Sequence, residues 1–460
     1  MLDESAHSLL YIFKWFILAT VIGVAVGVMD ALFLKTLDQC LSWRNQIPFF
    51  YLALPFGLYI VALLARKVAK AHKDYSTDAV IKQINAYKPV SFISIIKAFF
   101  LSIATMVLGG SAGKEAPCAD VGAGIGSYLA RVFHLSVADA RKMMICGVSA
   151  GFAGVFGVPI SGALFGLEVL WVGHIFYEVM FAALVAGITS FQVTSYLGVN
   201  YIYHPLAFMP VFSEQFFLKM IIAGIFFGLV SILFIEMNKF ARVVFRYITT
   251  RFGLFWTCTI GGLILVAFGY FLSPLYLGLG MAGINGPLSG EPLTSPFGFL
   301  YKIITTSVTL AAGGIGGLVT PVFFIGAQAG AMLSEFLRVD SHTLAALGLV
   351  AVLAGTANTP LAASVMAIEL FGAEIAPYAT VACVISFLVT GKQSLYPHQR
   401  IAMDSGKASD DPILPLETKS TQTPNYGRRA TDRKQYMPHR KTLLKQAVRD
   451  LRKKMFKSGK

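Results

Sequence analysis

From Trp15 to Thr390 the chain alternates between apolar runs and breaks carrying glycine or proline, and the spacing of those breaks restricts it to one kind of structure. Two runs are long. Trp15–Leu34 carries one charge, Asp30, and Phe252–Gly290 carries none, enough apolar length to cross a bilayer and turn back. The blocks at 48–65, 91–108, 144–156, 158–172, 177–197, 216–235, 297–312, 342–357 and 376–390 are shorter. Several cannot cross about 30 Å of hydrocarbon alone. Backbone that leaves helical geometry at membrane depth survives only when buried in protein or lining a wet cavity. The breaks therefore point inward. The expected fold is an all-α polytopic membrane protein whose many short, tilted or broken helices surround a functional centre.

Composition agrees, since 56% of the residues are hydrophobic and only 13% charged, which excludes a soluble domain and a single-anchor protein alike. The first run lacks a basic n-region and a small-residue cleavage site, so it is read as retained. Cys40, Cys118, Cys146, Cys258 and Cys383 have no paired spacing, which gives neither a metal site nor a disulfide framework. The net charge of +14 is uneven, because residues 401–460 hold 15 Lys/Arg against 6 Asp/Glu. That tail and the clusters Arg66/Lys67/Lys70/Lys73 and Lys239/Arg242/Arg246/Arg251 read as cytoplasmic, the clusters as loops, under the positive-inside bias. The basicity speaks of membrane orientation and not of nucleic acid.

The chain is also duplicated. AGVFGVPISGALFGLE (153–168) aligns without gaps to AGTANTPLAASVMAIE (354–369) at an offset of 201, matching Ala, Gly, Pro and Glu. GKEAPCADVGAGIG (113–126) aligns to GLVTPVFFIGAQAG (317–330) at an offset of 204, keeping Gly113/Gly317, Pro117/Pro321, Gly122/Gly326 and Gly126/Gly330. Two blocks in the same order at nearly one offset indicate related halves, near 40–200 and 215–395. Corresponding interrupted segments in two halves point to a transport site near the midplane.

Each break opens what reads as a helix start: Ser-Thr-Asp at 76–78, Gly113–Pro117, and the glycines before Pro321. A helix N-terminus presents unpaired amide donors and about half a positive charge, so several aimed at one point hold an anion without a full countercharge. Glu115, a carboxylate tethered at such a terminus, has the means to occupy the anion's own place, and protonation releases its hold. It reads as a gate.

These residues resemble the CLC family of chloride channels and chloride/proton antiporters, over about residues 70–396. Gly113-Lys114-Glu115-Ala116-Pro117 is similar to the family's G-K/R-E-G-P segment, with Glu115 at the gating-glutamate position. Gly317-Leu318-Val319-Thr320-Pro321 is similar to G-x-F-x-P, whose amides face the anion, with Val319 where phenylalanine is usual. Tyr396 matches the pore tyrosine. Asp74-Tyr75-Ser76-Thr77-Asp78 departs from the family's G-S-G-I-P, putting Tyr75 at the selectivity-serine position with Ser76 beside it. The resemblance thus implies anion-binding positions at Tyr75, Ser76, Gly113, Lys114, Glu115, Ala116, Leu318, Val319 and Tyr396.

Val158–Val169 resembles the segment ending in two glutamates; Glu168 matches the first, and the second, a proton carrier in many antiporters, is Val169. That substitution tilts the reading toward passive conduction, with the antiporter as the alternative. His174 and Glu178 lie one and two turns on if the helix continues, and read as interfacial polar residues. Glu168 and Glu369, at equivalent repeat positions, read as structural acids capping nearby backbone donors. The resemblance further implies a pore of two inverted-topology repeats over residues 1–400 and a homodimer with one pore per subunit in the inner membrane of a prokaryote. It implies no cofactor beyond a bound chloride or similar anion. Fluoride exporters of the family lack the pore tyrosine, so Tyr396 argues against that branch, and 64 residues after Tyr396 leave no room for paired CBS domains. Residues 404–439 read as disordered, and LLKQAVRDLRKKMF (443–456) as an amphipathic helix on the anionic lipid of the inner leaflet. HExxH, GxSxG and P-loop motifs are absent, so nothing in the sequence supports an enzyme.

Overall fold

The computed structural model describes residues 2–68, 77–201, 203–205 and 214–401. Tyr75, Ser76 and the basic tail lie outside them. The described residues form fifteen α-helices. In the first half these are α1 (Leu2–Asn45), α2 (Leu54–Val68), α3 (Thr77–Asn85), α4 (Phe92–Val107), α5 (Glu115–Val132), α6 (Val137–Phe156), α7 (Pro159–Glu168) and α8 (Tyr177–Tyr196). The second half has α9 (Glu214–Phe271), α10 (Met281–Leu288), α11 (Gly298–Ala311), α12 (Val319–Leu337), α13 (Ser341–Ala357), α14 (Pro360–Phe371) and α15 (Ala376–Thr390). The strands β1 (Trp171–Val172) and β2 (Arg400–Ile401) make one two-residue parallel pair. Four helical segments, in α1, α8, α9 and at Ala373–Thr390, are long and apolar enough to cross a membrane.

The halves are symmetric in their bonding as well as in their motifs. The Ser111 N–H donates to Thr309 Oγ1, and the Ile315 N–H, at the equivalent position, donates to Thr105 Oγ1, both at 3.0 Å. Gly113 and Gly317 exchange N–H···O bonds of 2.8 Å in each direction. A side chain at Gly122 would strike the backbone of Gly147 in α6, and one at Gly326 would strike that of Gly348 in α13. The same close crossing therefore joins α5 to α6 and α12 to α13, as small residues permit in a bilayer.

The two glutamates lock the repeats together. Glu168 accepts from the amides of Leu361 and Ala362 at 3.1 and 2.9 Å, at the start of α14. Glu369 accepts from Ile160 and Ser161 at 2.8 Å each, at the start of α7. Each half thus caps the orphan donors of the other half's short helix, as expected of structural acids.

Two expectations need correction. Lys239, Arg242, Arg246 and Arg251 are helical and not in a loop, as are Arg66 and Lys67 at the end of α2, while Lys70 and Lys73 lie outside the described residues: α9 runs through its four cations to Gly253, where φ 88° and ψ 174° turn the chain back on itself. Thr249 and Thr257 hydroxyls meet at 2.9 Å across that hairpin. The arm Glu214–Phe252 is about 58 Å long at 1.5 Å per residue, far beyond the hydrocarbon thickness, so its cations ride on the overhang. Nor do His174 and Glu178 continue the helix of Glu168, because α7 stops there and β1 intervenes. Both are exposed, and Glu178 pairs with Lys142 at 3.5 Å.

Candidate functional site

The starts of α5 and α12 meet at the Gly113–Gly317 bridge, and Glu115 is the first residue of α5. Neither helix has a side-chain cap of its own among the described residues, since Lys114 and Leu318 stand at their N-cap positions without bonding inward. The carboxylate of Glu115 serves α12 instead. Its Oε1 accepts from the Val319 N–H at 2.6 Å, and its Oε2 from the Thr320 N–H at 3.2 Å and the Thr320 hydroxyl at 2.8 Å. An acid of one repeat thus holds the orphan amides of the other, and only 3% of it is exposed. A Cβ at Gly317 would overlap Oε1, so glycine is what lets the carboxylate reach these donors.

Two cavities flank this contact. One of about 520 Å³ is lined by Gly317, Leu318, Leu395 and Tyr396, by Thr77 and Asp78 at the start of α3, and by Arg66, Arg242 and Arg246. The other, of about 270 Å³, is lined by Lys114, Thr320 and Phe323 among others. Glu115 belongs to the wall of neither cavity. Its neighbours line both, Leu318 the larger and Lys114 and Thr320 the smaller.

Of the predicted anion-binding residues, the structure brings Gly113, Glu115, Ala116, Leu318 and Val319 together at the bridge, with Ala116 and Leu318 buried. Lys114 turns to the smaller cavity and buried Tyr396 to the larger. The Tyr396 amide is held by Ser394 Oγ at 3.0 Å. Asp78 fixes this end of the wall: it accepts from the His398 N–H at 2.8 Å and pairs with the His398 ring. Val169 is 1% exposed, and its carbonyl accepts from Gln399 Nε2 at 2.9 Å, so no carboxylate stands there.

Sequence reasoning passed over the part played by four residues. Thr320 sits inside the motif, yet a hydroxyl beside a proline reads as an ordinary first-turn residue. Arg242 and Arg246 read as orientation charges; only the length of α9 could have signalled that they line the larger cavity. Lys302 is wholly buried in α11, its ammonium donating to the Gly278 carbonyl at 2.8 Å and lying 5.0 Å from the Phe324 ring centroid. It satisfies backbone carbonyls beside the smaller cavity.

Residues 57–391 match the family model described as voltage gated chloride channel. The chain belongs to that family. Among its members, a chloride/fluoride channel protein of Pseudomonas syringae pv. tomato is 35% identical over 410 residues, covering 86% of this chain and 89% of the relative. A voltage-gated ClC-type chloride channel of Salmonella typhimurium is 26% identical over 314 residues, covering 65% of this chain and 72% of the relative. A solved CLC-type fluoride/proton antiporter superposes with a TM-score of 0.79 at 27% identity, covering 85% of this chain and 98% of that one. A slow cyanobacterial Cl⁻/H⁺ antiporter has a TM-score of 0.72 at 20% identity, covering 83% and 96%, a likeness of fold alone. The nearly all-helical CLC architecture and anion transport as the general role follow from this membership.

Proposed function

We propose that this CLC protein conducts a small inorganic anion, chloride foremost, passively across the membrane, with Glu115 as the gate. The observation that carries the reading is the seat of the Glu115 carboxylate on the Val319 and Thr320 donors. Donors that hold a carboxylate also hold a halide, so gate and anion compete for one place. Protonation neutralises the carboxylate and vacates it, so flux rises toward acid pH. The buried Val169 supports passive conduction, because a valine carries no proton. Tyr396 supports chloride over fluoride. The dimer with one pore per subunit, the prokaryotic inner membrane, and a cytoplasmic tail resting on anionic lipid belong to the same reading.

Likeness to a structure described as a fluoride/proton antiporter favours a second reading, proton-coupled exchange of chloride or fluoride. Proteoliposomes under crossed anion and pH gradients separate the two. Passive conduction gives a reversal potential that follows the anion gradient alone. Uphill proton movement driven by the anion gradient overturns it in favour of exchange.

Two further results are expected. Tyr396→Ala removes the hydroxyl that faces the larger cavity and weakens chloride binding by about 0.5–1.5 kcal/mol, the ordinary net worth of a hydrogen bond; calorimetry reads this directly. The double change Arg242→Gln/Arg246→Gln lowers flux about tenfold at low ionic strength, through loss of electrostatic focusing in the cavity mouth. The deficit shrinks in high salt.

A further inference from the structure

The larger cavity carries more positive charge than the passage of a halide calls for. Arg66 near the end of α2 and Arg242 and Arg246 of α9 line its wall, and all three are exposed. Arg242 and Arg246 stand four residues apart, on one face of α9, where like charges oppose each other. Nothing on the protein offsets them. None of the three is ion-paired among the described residues. Arg242 Nε donates to Asn238 Oδ1 at 3.2 Å, a neutral partner. The only acid in the wall among the described residues is Asp78, and its carboxylate is engaged by the N–H and the ring of His398.

The contrast with the gate is chemical. The donors around Glu115 are two amides and a hydroxyl, neutral groups that hold an ion and let it leave. Guanidinium groups are full charges with planar forks of donors, which match the oxygens of an oxyanion two at a time. A phosphoryl group offers three acceptor oxygens and up to two charges, enough to engage all three arginines. A halide has one charge and no fixed oxygen geometry, so it gains nothing from a fork. The space agrees: about 520 Å³ falls within the roughly 300–1,000 Å³ of small-molecule sites.

We propose that Arg66, Arg242 and Arg246 form a binding site for a phosphate-bearing anion, which blocks transport from the face on which the larger cavity opens. An occupant of this cavity lies against Gly317 and Leu318, next in sequence to the Val319 donor, and fills the space a permeant anion needs to approach from that side. Electrostatic focusing of the permeant anion needs only charge at these positions. Retention of a phosphate needs the forks.

The test uses the full chain in phosphatidylcholine vesicles, with inorganic pyrophosphate added to one face or the other at fixed ionic strength. Chloride efflux is normalised to each protein's own uninhibited rate. Block is expected from one face only. Arg242→Lys/Arg246→Lys keeps both charges and loses both forks, and is expected to raise the half-blocking concentration roughly tenfold, the low end of what one charge-assisted hydrogen bond is worth. Arg66→Gln shifts it in the same direction and serves as the second variant should the double change not fold. Melting in detergent gives a readout without flux: pyrophosphate raises the wild-type melting temperature more than chloride of equal ionic strength does, and raises that of both variants less. Failure of the Glu115 gate leaves this shift intact, so the two readings fail separately. Vesicles containing phosphatidic acid distinguish the sources. Pyrophosphate block in the neutral vesicles assigns a soluble phosphate; block that appears only with phosphatidic acid, and is weaker in the variants, assigns a lipid headgroup. Two results overturn the proposal: no block or melting shift from either phosphate source, or a lysine variant that keeps the wild-type half-blocking concentration, which leaves only a field of charge.

Discussion

Glu115→Gln is expected to leave the path open at every pH. The carboxylate offers two charged oxygens to three donors, at 2.6, 3.2 and 2.8 Å. Glutamine keeps one neutral oxygen and turns an NH₂ toward N–H groups that need an acceptor. Hydrogen bonds to a charged group are worth about 1.5–3 kcal/mol each. Losing the charge at one oxygen weakens the closed seat by that amount, roughly a tenfold to hundredfold shift toward the open form. Anion efflux from proteoliposomes checks this: the variant matches or exceeds the wild type's acid-pH rate at alkaline pH. A variant that stays shut at alkaline pH contradicts the gate.

The second large effect is on stability. Glu168 holds two amides of α14 and Glu369 holds two amides of α7, so each glutamate satisfies a helix that has no side-chain cap of its own among the described residues. Changing either to glutamine leaves one N–H facing an NH₂ in a dry crossing. An unsatisfied buried donor costs about 1–3 kcal/mol, and more where the lost partner was charged. We expect Glu168→Gln to destabilise the protein by roughly 2–4 kcal/mol, and Glu369→Gln, which is less buried, by less. The double variant falls short of the sum, since both contacts tie the same two helices. Thermal melting in detergent reads this. A melting temperature unchanged in Glu168→Gln would show that the caps carry no weight, while selectivity is expected to survive in both variants.

How much of this was legible in the sequence depended on residue type. Glycine, proline and glutamate matching at offsets of 201 and 204 exposed the two halves and paired Glu168 with Glu369, whereas Glu115, whose counterpart is Val319, was named by its place at a glycine-flanked helix start. Threonine and serine are common in membrane helices. The exchange between Ser111 and Thr309 and between Ile315 and Thr105 therefore has no sequence signature; it exists only because a two-fold axis brings equivalent turns together. Thr320 was hidden for the same reason. Arg242 and Arg246 misled in the opposite way, because charge near a membrane segment reads first as loop, and only the hairpin at Gly253 reveals a helix long enough to carry them to the cavity. Asp30 was visible as one charge in an apolar run, but the small polar groups beside it come from α6 and α8. The departure at Tyr75 and Ser76 lies outside the described residues, so the α3 end of the path rests on Thr77 and Asp78.

The central claim is that an anion and the Glu115 carboxylate compete for the donors at the start of α12. Crystals of Glu115→Gln soaked in bromide test it most directly through anomalous scattering. We predict a bromide peak within hydrogen-bond reach of the Val319 and Thr320 amides. A carboxamide still seated on those amides, with bromide absent from the bridge between the two cavities, would contradict the account.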